Sequence, residues 1–387
     1  NLSLSVRAKD LASFRIDRPI LVAGAGPSLE ESLPLIRAAR KRVFLLAADT
    51  AWPLLAAEKL APDAVFVLES QFANIHDFIP APPGKETALV CDLTAHPGTL
   101  RLFGGDVYLF SSLFARTSLL NRLGDAGLLP LSLPPLGSVG VAALYAATKM
   151  TSGPVLAAGL DFAFTGGRTH ARGTAFPALS LIYSGKLAPL HHRTFAAIMK
   201  RPLLRLKGKN GKTVLTDLVL AEYAGQVRHL ALTREAIHDM GPEGLDLGLP
   251  RAADMESVMR ILDRASVYGE ANAGGSANGE EGSPRVSKGQ FPADPKAAQD
   301  FILGELNLMD RGMEAAVKAL EERRKGRTSF TREESDIFSL LDYCFLHFPD
   351  ASPVPLFQEN VLTRLLVSLR HYRSVTEKAS LLLRGAG

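Results

Sequence analysis

Short apolar runs alternate with polar or amphipathic stretches through the first 250 residues. The runs lie at 20–23, 42–49, 64–68, 88–92, 107–112 and 154–162. Each is nearly continuous in Val, Ile, Leu, Ala and Phe, the pattern of a strand buried on both faces and not of a half-exposed one. Helical or loop stretches separate them, so the pattern predicts a mostly parallel sheet with helices on both faces, an α/β fold. Further on, 203–207 and 213–216 flank Asn210-Gly211 and predict a β-hairpin. Thr216-Asp217 opens a helix carrying Tyr223. Residues 252–266 read as helical, and 271–289 are poor in apolar residues and read as a linker. The remainder is helical: about 295–324, then a helix from the capping box Thr331-x-x-Glu334 to 348, then about 355–383 with Leu362, Leu365, Leu366 and Leu369 at helical spacing. The expected organisation is an extension at 1–16, an α/β domain at 17–250, a helix and linker at 251–292 and a helical interaction domain at 293–387.

The first strand runs into Gly24-Ala25-Gly26-Pro27-Ser28, and Pro27 suits the first turn of a following helix. Such a strand–turn–helix unit offers backbone N–H groups and a positive helix end to an anion. It lacks the third glycine of a dinucleotide fingerprint and the Lys-Ser/Thr of a P-loop, so an ordinary strand-to-helix turn stands beside a nucleotide site as its reading. The other strands end in polar residues: Asp49, Glu69 with Gln71, Ser111 with Ser112, and Asp161. Ligands gather at that edge of a parallel sheet. Ser138 precedes a helix of small residues and reads by itself as an N-cap. The loop Gly166-Gly167-Arg168-Thr169-His170-Ala171-Arg172-Gly173 concentrates Gly, Arg and His beside a strand-end acid, and a basic cluster that includes Lys212 surrounds the hairpin turn.

Composition changes this picture little. A net charge of +4 and 47% hydrophobic residues describe a globular chain too mildly basic to indicate nucleic acid. No apolar run reaches the roughly 20 residues of a membrane span, and residues 1–16 lack a secretory core. The two cysteines, Cys91 and Cys344, read as buried thiols of a reducing compartment, so a cytoplasmic location is expected. The first residue is Asn and not Met, as in a trimmed chain. No Cys/His metal spacing occurs.

Gly24-Ala25-Gly26-Pro27-Ser28-Leu29, Ala47-Ala48-Asp49-Thr50-Ala51, Pro62-Asp63, Glu69-Ser70-Gln71, Gly137-Ser138-Val139, Gly159-Leu160-Asp161-Phe162, the Gly-Gly-Arg-Thr-His-Ala-x-Gly loop and Thr216-Asp217 with Tyr223 follow in an order that resembles the central domain of the motility accessory factor (Maf) family. The resemblance covers roughly 17–250. It implies a Rossmann-like, sialyltransferase-like fold and a glycosyltransferase that moves a nonulosonic acid from a CMP donor to Ser or Thr of flagellin, as flagellar assembly and motility require. The same motifs resemble the 6-hydroxymethylpterin diphosphokinase MptE-like family, which implies ATP and a metal as the alternative. A non-catalytic nucleotide- or flagellin-binding role is the third.

On the first resemblance Gly24, Gly26, Pro27 and Ser28 meet the cytidine phosphate. Asp49 and Gln71 take ribose or base contacts, while Glu69, Ser111, Gly137, Ser138 and Tyr223 complete the nucleotide-sugar site. Arg168 or Lys212 balances leaving-group or sugar-carboxylate charge. His170 is the candidate general base, with Asp161 orienting it or standing in for it. No cofactor beyond the CMP-activated donor is implied; metal dependence and oligomeric state stay open. Two departures accompany the match: Glu69 stands where the family more often has Asp, and the sialyltransferase-like histidine expected shortly before Thr-Asp finds Asn210, Gly211 and Lys212.

Overall fold

The computed structural model describes residues 8–68, 70–112, 114, 117–234, 236–273, 294–345 and 354–384, with side chains of the helix ending at Ala273 described only to residue 265. The chain divides into two units, one of residues 11–112 and 133–288 and the other of residues 1–10, 113–132 and 289–387.

In chain order the elements begin with the two-residue strand β1 (Lys9–Asp10), β2 (Ile20–Ala23), α1 (Leu29–Ala39), β3 (Phe44–Ala48), α2 (Trp52–Ala57), β4 (Ala64–Val67) and β5 (Ala88–Asp92). They continue with the one-turn α3 (Pro97–Leu100), β6 (Val107–Phe110), α4 (Ser118–Asp125), α5 (Val139–Met150), β7 (Val155–Ala158), α6 (Ala175–Ile182) and α7 (Leu190–Ile198). The hairpin β8 (Leu203–Lys207) and β9 (Thr213–Asp217), α8 (Leu218–Thr233), β10 (Ile237–Asp239) and α9 (Met255–Ala273) come next. Three further helices follow: α10 (Pro295–Arg324), α11 (Arg332–Leu340) and α12 (Glu359–Arg384).

The sheet unit has the expected α/β fold. Its strands run β6-β5-β4-β3-β2-β7-β10 and every pair among them is parallel. The apolar runs are continuous because both faces are covered. Leu21, Leu45, Ala47, Leu156 and Ala158 pack with Leu29, Ile36 and Ala39 of α1 and with Val258 and Leu262 of α9. The residues between them in sequence, among them Ile20, Val22 and Leu46, are equally buried, and α5 packs against β2, β3 and β7. The strand order reverses at β2: β3 to β6 extend to one side of it, β7 and β10 to the other. That reversal opens a crevice above the carboxyl ends of β2 and β7.

The hairpin forms around Asn210-Gly211 as its sequence predicts, with Gly211 at a φ of 74° and the Gly208 N–H donating to the Lys212 carbonyl at 2.8 Å. Three elements depart from the sequence pattern. β10 is too short to register as a run. α6 is apolar almost throughout and α7 is short, and both leave apolar residues exposed.

The helical unit takes in α4 from within the range expected for the α/β domain, together with α10, α11 and α12. Phe338, Leu341, Phe345, Leu365 and Leu369 form its core with Met309 and Ala316. The capping box is present: Thr331 Oγ1 accepts from the Glu334 N–H at 3.2 Å and Glu334 Oε2 from the Thr331 N–H at 2.8 Å. The helix it starts ends at Leu340, earlier than expected, in a turn over Asp342–Cys344. Arg122 of α4 donates to both oxygens of the buried Glu305 carboxylate at 2.8 and 2.9 Å, and the Tyr343 hydroxyl donates to the same group at 3.0 Å. The segments read as a linker, at 274–289, and as the end of the α11 helix, at 346–348, lie outside the described residues.

Candidate functional site

A cavity of about 290 Å³ lies at the β2–β7 reversal, lined among others by Gly24, Gly26, Pro27, Thr50, Gly137, Ser138, Val139, Gly140, Asp161, Phe162, Thr169, His170 and Tyr223. It is at the low end of the size usual for small-ligand sites.

Its floor is the Gly-x-Gly loop, held down by hydrogen bonds that differ from a phosphate cradle. The Gly24 N–H donates to Ala158 O and the Gly26 N–H to Gly159 O, both at 2.8 Å. The Ser28 N–H donates to Asp161 Oδ2 at 2.8 Å and its hydroxyl donates to Asp161 Oδ1. The amides expected to greet an anion therefore tie this loop to the end of β7. Gly159 shows why the two loops approach so closely: at a φ of 66°, a Cβ there would sit 2.4 Å from Gly24 O. The Asp161 carboxyl is buried. Burial pushes its pKa up to about 6, against the opposing Lys209 charge and the two Ser28 hydrogen bonds.

Free helix-end donors come from α5 instead. Ser138 takes the N-cap position, as expected, with its carbonyl accepting from the Ala142 N–H at 2.9 Å, but its hydroxyl makes no capping hydrogen bond. Gly137, Ser138, Val139 and Gly140 all line the cavity, so the N-terminus of a twelve-residue helix faces it with the partial positive charge that suits an anion. Gly137 leaves room for Tyr223, since a Cβ there would fall 2.8 Å from the tyrosine ring. Phe162 adopts a φ of 47°, rare for a bulky residue. Its carbonyl accepts from Thr216 Oγ1 at 2.8 Å, which ties that conformation to the hairpin strand β9.

The Gly-Arg-Thr-His loop closes one side. Ala171 donates to Ala25 O at 2.9 Å. Glu30, in the first turn of α1, pairs with Arg168 and accepts from the Arg172 N–H at 2.7 Å and from its Nε at 2.9 Å. Burial opposes the charged form of Glu30, but the Arg172 hydrogen bonds and the Arg168 and Arg172 charges outweigh it and hold the carboxyl below its usual range. His170 Nδ1 lies 3.2 Å from Thr169 Oγ1, and its ring meets Phe176 at a centroid distance of 5.7 Å. Burial lowers its pKa, which keeps the imidazole neutral at neutral pH. Asp161 bonds to Ser28 through both carboxylate oxygens, and the hydrogen bond of the His170 ring runs to Thr169 and not to Asp161.

The cavity thus gathers Gly24, Gly26, Pro27, Gly137, Ser138, Asp161, His170 and Tyr223. The other candidates lie elsewhere. Ser28 sits behind the wall on Asp161. Arg168 is paired with Glu30. Asp49 accepts from the Thr50 N–H at 2.7 Å and from Asn74 Nδ2 at 2.5 Å, closing its own strand end. Gln71 is exposed, and the Ser111 carbonyl accepts from Leu133 at 2.8 Å. Glu69 lies outside the described residues. The strand order gives the reason for the distant ones: β4 is two strands from β2 and β6 is four, about 10 and 19 Å away at the usual strand spacing. Lys212 lines a neighbouring cavity of about 240 Å³ with Lys209 and Asn210.

Sequence reasoning missed Thr50, whose place after a strand-end acid could have signalled it, and Lys209. The Lys209 ammonium is buried with Asp239, Nζ to Oδ1 3.0 Å, and Arg251 holds the other Asp239 oxygen at 2.8 Å. This paired cluster lies behind Asp161, whose pKa feels the charges of both Lys209 and Asp239.

Residues 1–167 match the family model described as 6-hydroxymethylpterin diphosphokinase MptE-like. The resemblance to that family is borne out over this part, which carries the sheet from β2 to β7. Two uncharacterised proteins of Treponema pallidum (strain Nichols) are similar to the chain. One is 31% identical over 361 residues, covering 92% of this chain and 60% of its own length. The other is 28% identical over 238 residues, covering 54% of this chain and 60% of its own length. The chain therefore spans about three fifths of the curated relatives it matches. Among solved structures, a Maf glycosyltransferase from Magnetospirillum magneticum AMB-1 aligns over 100% of this chain and 58% of its own, at 13% identity and a TM-score of 0.44.

Proposed function

We propose that the chain is a glycosyltransferase that moves a nonulosonic acid of the sialic, pseudaminic or legionaminic type from a CMP donor to Ser or Thr hydroxyls of flagellin in the cytoplasm. The observation that carries the reading is that one cavity joins the uncapped N-terminus of α5 to a histidine kept neutral by burial. The first supports an anionic leaving group, the second proton removal from a hydroxyl.

In this mechanism the donor phosphate lies against the first turn of α5 and the Ser138 hydroxyl. The bond between the sugar anomeric carbon and the phosphate oxygen breaks, and CMP leaves with the electron pair. The acceptor oxygen bonds to that carbon and its proton passes to His170. Tyr223 and Phe162 wall the sugar or base. Asp161 acts as a positioning residue, through Ser28, for the loop under the phosphate. Flagellar assembly and motility depend on the product.

The match of residues 1–167 to the MptE-like family favours a second reading, phosphoryl chemistry with ATP and a divalent metal. Asp49 would be its first metal ligand, but its two oxygens are engaged by Thr50 and Asn74. Calorimetric titration with CMP, and separately with ATP plus magnesium, distinguishes the two. Metal-independent CMP binding that weakens in Tyr223→Ala supports the transferase. Preference for ATP with magnesium overturns it.

A further inference from the structure

We propose that the α6–α7 segment is a membrane-surface anchor that inserts its tip into an anionic lipid bilayer. From residue 162 to residue 216 the chain carries ten Lys or Arg and three His and no Asp or Glu. Some of these cations are already paired within the unit, Arg168 and Arg172 with Glu30, Arg201 with Asp217 and Lys209 with Asp239. Lys186, Arg193, Lys200, Arg205, Lys207 and Lys212 have no ion-pair partner among the described residues. The segment itself therefore carries charge of one sign, with Glu243 of the following loop sharing the Lys212 cavity.

The same surface is apolar. α6 reads Ala-Phe-Pro-Ala-Leu-Ser-Leu-Ile and contains no charge, yet of its residues only Ala175 is buried. Beyond it Leu181, Ile182 and Tyr183 are 62–72% exposed and Leu187, at the tip between the two helices, is 98% exposed. Phe195 and Met199 continue the patch along α7.

The occupant follows from the shape of this pattern. A helix apolar on all sides suits a medium that is apolar on all sides, whereas a protein partner would cover one face and leave the others in water. Cations flanking an exposed aromatic and aliphatic tip match the two requirements of interfacial binding, buried apolar area and attraction to anionic headgroups. A second copy is disfavoured because it would bring two surfaces of the same charge together. No described helix is long and apolar enough to cross a membrane, so the anchor lies in the interface. His170 meets Phe176 of α6, which places the catalytic cavity beside the bilayer surface.

The experiment is sedimentation of the whole chain with vesicles of equal parts phosphatidylglycerol and phosphatidylcholine, compared with phosphatidylcholine alone. Binding to the anionic vesicles at low salt, weakened by added salt, is expected. Ile182→Ser with Leu187→Ser, and separately Lys186→Glu with Lys200→Glu, should each lower the partition coefficient at least about tenfold while leaving the melting temperature unchanged. Leu187→Trp keeps the tip apolar and reports insertion directly. Its emission should shift blue on vesicle addition and be quenched by brominated lipid, against the background of the buried Trp52. No binding to anionic vesicles, binding undiminished in both double variants, or capture by polyglutamate in preference to vesicles overturns the proposal. Because none of these readouts needs a donor or acceptor, they are independent of the transferase reading.

Discussion

Ser28 and Asp161 stand 133 residues apart, yet the Ser28 N–H donates to one carboxylate oxygen at 2.8 Å and its hydroxyl to the other. The pair pins the start of α1 to the end of β7, the two elements on either side of the strand-order reversal. Ser28→Ala leaves a buried carboxylate oxygen without a donor, a loss of about 1–3 kcal/mol. Denaturant titration should show that loss. It should also show the Asp161 pKa, now about 6, move further up, because a hydrogen bond that lowers it has gone. An unchanged midpoint would mean the side-chain bond contributes nothing.

Glu30 joins α1 to the His170 loop through two arginines. Glu30→Gln keeps the size and removes the charge, so Arg168 and the loop behind it lose their anchor. The expected stability change is modest, about 1 kcal/mol, because Arg172 is exposed and screened. The larger effect should fall on ligand affinity, since Thr169 and His170 line the cavity. A variant that binds CMP as the parent does would show that the loop holds itself.

The strands were legible because burial on both faces leaves an unbroken apolar run, as at Ile20–Ala23 and Ala88–Asp92. β10 was not, since Ile237-His238-Asp239 offers one apolar residue to a three-residue strand. At the site, Gly26 could be read from its turn, whereas Ser138 and His170 entered through the order of motifs that resembles the Maf family. Gln71 and Ser111 could not be excluded, because strand-end position is encoded locally while lateral strand order is not. The direction of the loop amides was hidden for the same reason: Gly26 and Ser28 bond to residues at the end of β7, more than a hundred positions away.

Asp77 is buried beside the Asp49 charge, and burial first, then that charge, raises its pKa to about 7. The native state then binds a proton that the unfolded chain, with an ordinary value of 3.8, has released. The Asp77 contribution to stability therefore falls as pH rises from about 4 to about 7 and is flat above. Over that window each tenfold fall in proton concentration removes up to about 1.4 kcal/mol. Asp77→Asn removes the titration. Its melting temperature should match the parent in acid and exceed it above neutrality. Parallel melting curves across this range would assign the slope to another group.

His170 gives the sharpest test of the chemistry. As a general base it must be neutral, and burial holds its pKa below the ordinary 6.5. The rate of transfer from a CMP donor should therefore be level from neutrality upward and fall only in more acid solution, where the imidazole gains a proton. His170→Ala should lose about 10²–10⁴-fold in kcat with CMP affinity kept. The same depressed pKa means that at this group the unfolded chain binds more protons than the native one below 6.5, so the His170 contribution to stability is lost as pH falls. His170→Ala should lose its own share of that slope whether or not the residue is catalytic, leaving the share of His238, whose pKa burial also lowers. A variant with the slope reduced and the rate intact would make His170 a structural histidine, and the proton would have to leave by another group in the cavity.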